Sequence, residues 1–101
     1  MNDDSERKLK NDMVNIYKRS YRECGYRPTR FLEMVDRKGA LIAAKELIMK
    51  AGTEGFTKLW KLGRLDLSLE ALICSGKYNE LFTNEEIEIC KEKLREYNYN
   101  I

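Results

Sequence analysis

Residues 63–69, GRLDLSL, decide the fold class, because they alternate polar and apolar side chains as a β-strand does although helical patterns flank them. Gly63 is placed to end the preceding helix. Ser68, with the aspartate of the stretch as the alternative, is placed to cap the following helix. Alternation over five residues between two helix ends favours a connector in which Leu65 and Leu67 turn into the core. The stretch is therefore predicted to be a hinge between helices.

Outside this hinge, apolar residues recur at spacings of three and four, which is the pattern of amphipathic helices. The first helix is predicted over residues 4–24, and Gly25 ends it. Pro28 opens the second helix, which reaches Lys38 or Gly39, where a break is expected before the third. The inward-facing positions are, helix by helix, Leu9, Met13, Ile16, Tyr17, Ser20, Tyr21 and Cys24; Phe31, Leu32, Met34 and Val35; Leu41, Ala44, Leu47, Ile48 and Ala51; Phe56, Leu59 and Trp60; Leu69, Leu72 and Ile73; and Ile87, Cys90, Leu94 and Tyr97.

Helix-end signals divide the rest of the chain into short segments. Gly52 is placed to end the third helix, Thr53 to cap the fourth and Gly76 to close the fifth. The last helix starts at residues 83–86, TNEE, a capping box in which the Thr and Glu side chains each satisfy a backbone N–H of the other residue. Phe82 is placed to pack on the isoleucine that follows this box.

These segments predict an all-α fold. No Asn-Gly or Asp-Gly hairpin signal occurs, and short helices of unequal length suit oblique packing better than four parallel rods. With 101 residues, 43% of them hydrophobic and 36% charged, the chain is long enough for one globular domain. We expect a compact single-domain bundle, residues 1–101, of about six short helices with mixed or orthogonal packing.

The sequence also predicts a cytoplasmic protein without membrane association. No apolar run approaches the roughly 18 residues of a membrane span, and the start of the chain, MNDD, lacks the basic-then-apolar pattern of a signal peptide. Cys24, Cys74 and Cys90 are isolated and odd in number, as expected for small buried side chains in a reducing compartment.

The residue inventory argues against metal, cofactor and catalytic sites. The chain has no His, so it lacks the side chain that most often performs acid–base chemistry near neutral pH. Three scattered thiols do not complete a four-ligand zinc site. No Walker loop, Gly-x-Gly-x-x-Gly motif or Asp-rich calcium loop is present. We therefore expect a non-enzyme without cofactor or metal.

Three longer stretches carry a resemblance to known proteins. GYRPTRFLEMVDRKGALIAAKELI, GFTKLWKLGRLDLSLEALI and LFTNEEIEICKEKLREYNY resemble a widespread family of small, uncharacterised bacterial helical proteins, and the similarity covers residues 25–99. The family often has a second Gly at the position of Ala40. The resemblance implies no reaction, cofactor or ligand, and it associates the chain loosely with restriction and defence-related genes.

Arg30, Arg64 and Asp66 are the best candidate site. Arg64 and Asp66 lie two residues apart in the connector and Arg30 opens a helix, so the three could converge. An arginine held against an aspartate can offer its fork to phosphate or carboxylate. The alternative interpretation is a structural salt bridge that pins the hinge.

Charge is distributed unevenly along the chain. Residues 1–65 hold 15 Lys and Arg against 9 Asp and Glu, for a net charge of +6, whereas residues 66–101 hold 4 against 8, for −4. Basic residues mixed with tyrosines, as in residues 17–30, suit a nucleic-acid surface, although a solvated helix face gives the same pattern. The candidate residues for binding a partner or nucleic acid are Lys18, Arg19, Arg22, Arg27, Arg30 and Arg64.

The leading hypothesis is a non-catalytic interaction module that binds a macromolecular partner, preferably a protein, as an inhibitor or accessory factor in bacterial defence or phage counter-defence. The opposite charges of the two halves suit docking to a complementary surface and would also support self-association. The alternative hypothesis is a nucleic-acid-binding protein that uses the basic N-terminal half.

Overall fold

Helices account for most of the residues that the computed structural model describes, which are 2–50 and 54–99. No strand occurs among them, and the Cα radius of gyration of 12.5 Å is close to the ~13 Å of a folded 100-residue domain. The fold is therefore the predicted all-α, single-domain bundle. The helices of the described chain are α1 (Asn2–Cys24), α2 (Thr29–Lys38), α3 (Ala40–Met49), α4 (Glu54–Lys61), α5 (Leu69–Cys74) and α6 (Asn84–Glu96), with a 3₁₀ turn at Leu65–Leu67.

Gly39 separates α2 from α3, as predicted. Its φ of +86° is a left-handed conformation that residues with a Cβ atom rarely adopt, and its N–H donates to the Val35 carbonyl. The expectations for Ala51, Gly52 and Thr53 lie outside the described residues.

The GRLDLSL stretch is a connector and not a strand. After Gly63, whose φ is +71°, the chain makes the 3₁₀ turn, and both Leu65 and Leu67 are buried. The Ser68 hydroxyl accepts a hydrogen bond from the Ala71 N–H at 3.1 Å and donates to the Leu65 carbonyl at 2.6 Å. Ser68 therefore caps α5 and closes the turn before it.

The predicted capping box starts α6. The Thr83 hydroxyl accepts from the Glu86 N–H at 3.1 Å, and the Thr83 N–H donates to the Glu86 carboxylate at 2.8 Å. The same carboxylate accepts from Lys45 of α3 at 2.8 Å. The start of α6 is thus fixed locally by its cap and tied to α3 by an ion pair.

The core is built around α3, which packs against α1, α2, α5 and α6. Ala43 and Ala44 are fully buried, and their small side chains allow the neighbouring helices to approach closely. A second cluster joins α4, the 3₁₀ turn and α6, and Cys74 packs against both clusters. The buried residues of the first cluster are Leu9, Met13, Val35, Ala40, Ala43, Ala44, Ile48, Leu69, Ile73, Tyr78, Leu81, Phe82 and Cys90. Those of the second are Phe56, Leu59, Leu65, Leu67 and Leu94.

Two predicted core positions are wrong. Trp60 is 45% exposed, because Phe56 and Leu59 occupy the buried face of α4 and the indole rests edge-on against Tyr97, with ring centroids 5.2 Å apart. Tyr21 is 48% exposed near the end of α1, where the guanidinium of Arg27 lies 4.7 Å from its ring centroid.

A buried ion pair links three helices. The Lys93 ammonium of α6 donates to the Glu70 carboxylate of α5 at 3.1 Å and to the backbone carbonyl of Lys50, just after α3, at 2.8 Å. Only 5% of the Glu70 side chain and 13% of the Lys93 side chain are exposed. A buried carboxylate is tolerated when a cation and hydrogen bonds compensate its charge, which this arrangement provides.

Candidate functional site

Arg64 is the centre of a network that joins the connector to the end of α1. Its Nε and Nη2 donate to the two carboxylate oxygens of Asp66, at 3.0 and 3.1 Å, and Nη2 also donates to Glu23 at 2.7 Å. The second oxygen of Glu23 accepts from Arg19, one turn earlier on α1, at 2.8 Å. We call Arg19, Glu23, Arg64 and Asp66 the arginine network. It is a linear chain of three ion pairs in which positive and negative charges alternate.

The network keeps its carboxylates ionised. Hydrogen bonds from Arg19 first, and then from Arg64, lower the pKa of Glu23 from 4.5 to about 2. The hydrogen bond from Arg64 lowers the pKa of Asp66, and hydrogen bonds to Asp66 and Glu23 raise the pKa of Arg64. Carboxylates with lowered pKa values are weak general bases near neutral pH, so this arrangement suits a structural clamp better than proton transfer.

Arg30 does not join the network, contrary to the convergence expected from the sequence. Arg64 and Asp66 pair as predicted, but their third partner is Glu23 of α1. Arg30 is exposed in the first turn of α2 and forms no ion pair with the described residues. No local sequence pattern indicates Glu23 as a partner of Arg64, because the two residues are 41 positions apart.

The other basic residues predicted to bind a partner are Lys18, Arg19, Arg22 and Arg27. Two of them, Arg19 and Arg27, are already engaged by contacts within the chain. Arg27 stacks on Tyr21 and donates to its hydroxyl at 3.3 Å. Lys18 and Arg22 are exposed on α1 and form no ion pair with the part of the chain that the structure describes. Tyr21 and Arg22 follow Lys18 by three and four residues, so both lie next to Lys18 on the helix surface.

An open groove runs between α3 and α6, with a volume of about 610 Å³. Its apolar part is formed by Ile42 and Met49 of α3, which are 56% and 63% exposed, and by Ile89 of α6. Ile42 and Met49 are seven residues apart, or two helical turns, and therefore lie on one face. We call this feature the α3–α6 groove.

A cavity of about 460 Å³ lies where α1, α2, α3 and α4 meet the start of α5. Arg27, Arg30 and Lys50 are exposed residues of its lining, whereas Ser20 is fully buried. The Ser20 hydroxyl has no hydrogen-bond partner among the described residues. We call this feature the α2 cavity, because the first turn of α2 borders it.

Sequence reasoning missed both Ile42 and Met49, although α3 carried a signal for them. The helix reads ALIAAKELIM, with Lys45 and Glu46 as its only charged residues. A helix that is apolar nearly all round has more than one face to cover. The core buries Ala40, Ala43, Ala44 and Ile48, and Leu41 and Leu47 pack against it, which leaves Ile42 and Met49 outside. The second apolar face therefore stays at the surface.

Among residues 2–50 and 54–99, no three His, Cys, Asp or Glu side chains are grouped so that they could hold a metal ion. None of the described helices has the length and apolarity to span a bilayer.

Comparisons of the chain with family models, curated proteins and solved structures find no match. The resemblance drawn from the three sequence stretches therefore stays a prediction.

Proposed function

We propose that this protein is a non-catalytic interaction module that docks a partner protein through the α3–α6 groove. The observation that carries the proposal is the pair Ile42 and Met49, each more than half exposed on one face of α3. Large apolar side chains grouped at a surface mark sites where another protein is bound. A groove between two helices suits an amphipathic helix of the partner, which would lay its apolar face along it.

The charges around the groove favour a protein partner over a nucleic acid. Lys45 is paired with Glu86 at 2.8 Å, and Glu46 with Lys38 at 2.7 Å. The other two charged residues of the lining, Lys50 and Glu85, are of opposite sign, so the groove carries no excess of positive charge. A phosphate backbone needs uncompensated positive charge. An apolar centre with a mixed polar rim is the usual composition of a protein interface.

We propose a non-catalytic role because the polar groups of the chain are poorly suited to proton transfer. The chain has no His, and the carboxylates of the arginine network are held ionised by arginines. Three cysteines without disulfide bonds support a reducing, cytoplasmic compartment. The setting in bacterial defence or phage counter-defence rests on the sequence resemblance.

The test compares two matched surface variants. Tagged wild-type protein is used to capture binding proteins from cells of the source organism, and the purified partner is then titrated against the double variant Ile42→Asp, Met49→Asp. The control is Leu62→Asp, since Leu62 is 40% exposed and does not line the groove. We expect the groove variant to bind at least tenfold more weakly and the control to bind normally, with unchanged circular dichroism in both.

Full affinity of the groove variant would refute the proposed site. Light scattering of the isolated protein separates a different partner from a second copy of the same chain. If the groove closes a homodimer, the wild type is a dimer at micromolar concentration and the groove variant is a monomer.

Nucleic-acid binding is the second candidate, and the free residues Lys18 and Arg22 beside Tyr21 favour it. Fluorescence anisotropy with labelled DNA and RNA should then show binding that weakens steeply as salt rises. The double variant Lys18→Glu, Arg22→Glu should abolish it. No binding at low salt would eliminate this candidate.

A further inference from the structure

The entrance of the α2 cavity is electropositive. Arg27, Arg30 and Lys50 are exposed residues of its lining, and Arg30 forms no ion pair with the described chain. The α2 helix adds to this field, because its first turn contains no acidic residue and no side chain caps it. The Thr29 N–H donates to the Arg27 carbonyl at 2.8 Å, so the N–H groups of Arg30 and Phe31 are the ones at this helix start that can attract an anion.

The interior of the cavity is mainly apolar. Its lining includes Phe31 and Met34 of α2, Leu47 of α3, and Phe56 and Leu59 of α4. A volume of about 460 Å³ lies in the range of roughly 300–1,000 Å³ that is typical of small-molecule sites. The cavity therefore has room for the apolar body of a ligand.

Three buried polar residues of the lining, Ser20, Ser68 and Glu70, define what the interior can accept, and the Ser68 hydroxyl is already hydrogen-bonded within the chain. Glu70 is buried, but Lys93 compensates its negative charge at 3.1 Å. Ser20 is fully buried and its hydroxyl is unpartnered within the described chain. Native structures rarely leave a buried hydroxyl without a partner, because the loss of its hydrogen bonds to water is not compensated. A polar atom of a bound molecule would provide that partner.

We propose that the α2 cavity binds a small organic anion with an apolar body. The oxyanion head, carboxylate or phosphate ester, is held by Arg30 and the first turn of α2 and accepts a hydrogen bond from the Ser20 hydroxyl, which lines the same cavity. The apolar part fills the space between α2 and α4. The cavity shares only Lys50 with the α3–α6 groove, so the two sites can be tested independently.

Decanoate is the probe, with decanol as its neutral counterpart and inorganic phosphate as an anion without an apolar body. Binding is measured by isothermal titration calorimetry, and the site is located by the shifts of backbone amide NMR signals. We expect decanoate to bind at least tenfold more tightly than decanol, with the largest shifts at Ser20, Phe31 and Phe56. Inorganic phosphate alone should bind at least tenfold more weakly than decanoate. A parallel titration with decyl phosphate distinguishes a preference for phosphate esters from one for carboxylates.

Arg30→Glu should weaken decanoate binding at least tenfold and leave decanol binding unchanged. The matched control is Arg7→Glu, an exposed α1 residue that does not line the cavity, which should bind decanoate as the wild type does. Equal binding of decanoate and decanol, equal loss in both variants, or NMR shifts confined to Ile42, Met49 and Ile89 would each overturn the proposal. An absence of decanoate binding would overturn it as well.

Discussion

Arg64 is a candidate binding residue in the sequence, and in the structure its guanidinium is occupied by contacts within the chain. Its Nε and Nη2 groups donate hydrogen bonds to Asp66 and Glu23, and its Nη1 lies 4.0 Å from the Cys24 sulfur. Planar guanidinium geometry allows these contacts simultaneously, which an ammonium group does not. Arg64 therefore ties the connector to α1 with little donor capacity left for a ligand.

We expect Arg64→Ala and Asp66→Ala each to lower the free energy of unfolding. The two changes should couple in a double-mutant cycle because the side chains contact each other directly. Arg64→Lys should restore only part of the loss. Urea denaturation of the four proteins of the cycle measures the coupling. A fully stable Arg64→Ala protein that has lost partner binding would contradict the structural role.

Glu23 predicts a specific acid sensitivity. Its folded-state pKa of about 2 lies below its ordinary value of 4.5, so its stabilising effect is complete above about pH 4.5 and is lost as the pH falls through about 2. Thermal melts from pH 6 to pH 2 should show a flatter acid decline for Glu23→Gln than for the wild type. Parallel curves for the two proteins would show that Glu23 is not stabilised in the fold.

At the level of elements, the short connector contributes both to the core and to the capping of α5. Leu67 is 1% exposed, and Ser68 makes two hydrogen bonds that join the 3₁₀ turn to α5. The stretch carries a core residue and a helix cap at adjacent positions. Its conformation is therefore fixed both by the burial of Leu67 and by the two hydrogen bonds of Ser68. That is why its alternation of polar and apolar residues does not indicate a strand.

Substitutions in the connector should therefore affect stability and leave groove binding unchanged. Leu67→Ala is expected to cost about 2–5 kcal/mol through the cavity it leaves. Ser68→Ala is expected to cost about 1 kcal/mol as a lost cap. Urea denaturation measures both. A Ser68→Ala protein with wild-type stability would show that the cap contributes nothing.

At the level of the whole molecule, the two core clusters are connected. Cys74 packs against both, and α6 contributes Cys90 to one cluster and Leu94 to the other. A helix that belongs to both clusters cannot leave one without disturbing the other. The architecture thus favours one cooperative unit, as small single domains usually are.

The expected result is a single unfolding transition followed equally by circular dichroism and by Trp60 fluorescence. Ile48→Ala in the first cluster and Leu94→Ala in the second should each shift that one transition by about 2–5 kcal/mol, since both side chains are fully buried. Two separate transitions in either variant would show that the clusters unfold independently.

The secondary structure of this protein was largely readable from its sequence, because the signals involved are local. The capping box at Thr83 and the glycine at position 39 act on residues within about one helical turn. Predicting the core was less reliable at Trp60 and Tyr21, whose helices present more large side chains than the core can cover.

The candidate sites depended on the tertiary structure. The pairing of Arg64 with Asp66 was predictable because the two residues are close in sequence, but Glu23 joins them only through the packing of α1 against the connector. The α2 cavity is lined by residues from 16 to 70, which no periodicity relates. By itself, the sequence determined helices, caps and the all-α class, since those depend on short-range interactions. Only the folded chain decided which charges are paired and which apolar face stays exposed, because these depend on contacts between distant segments.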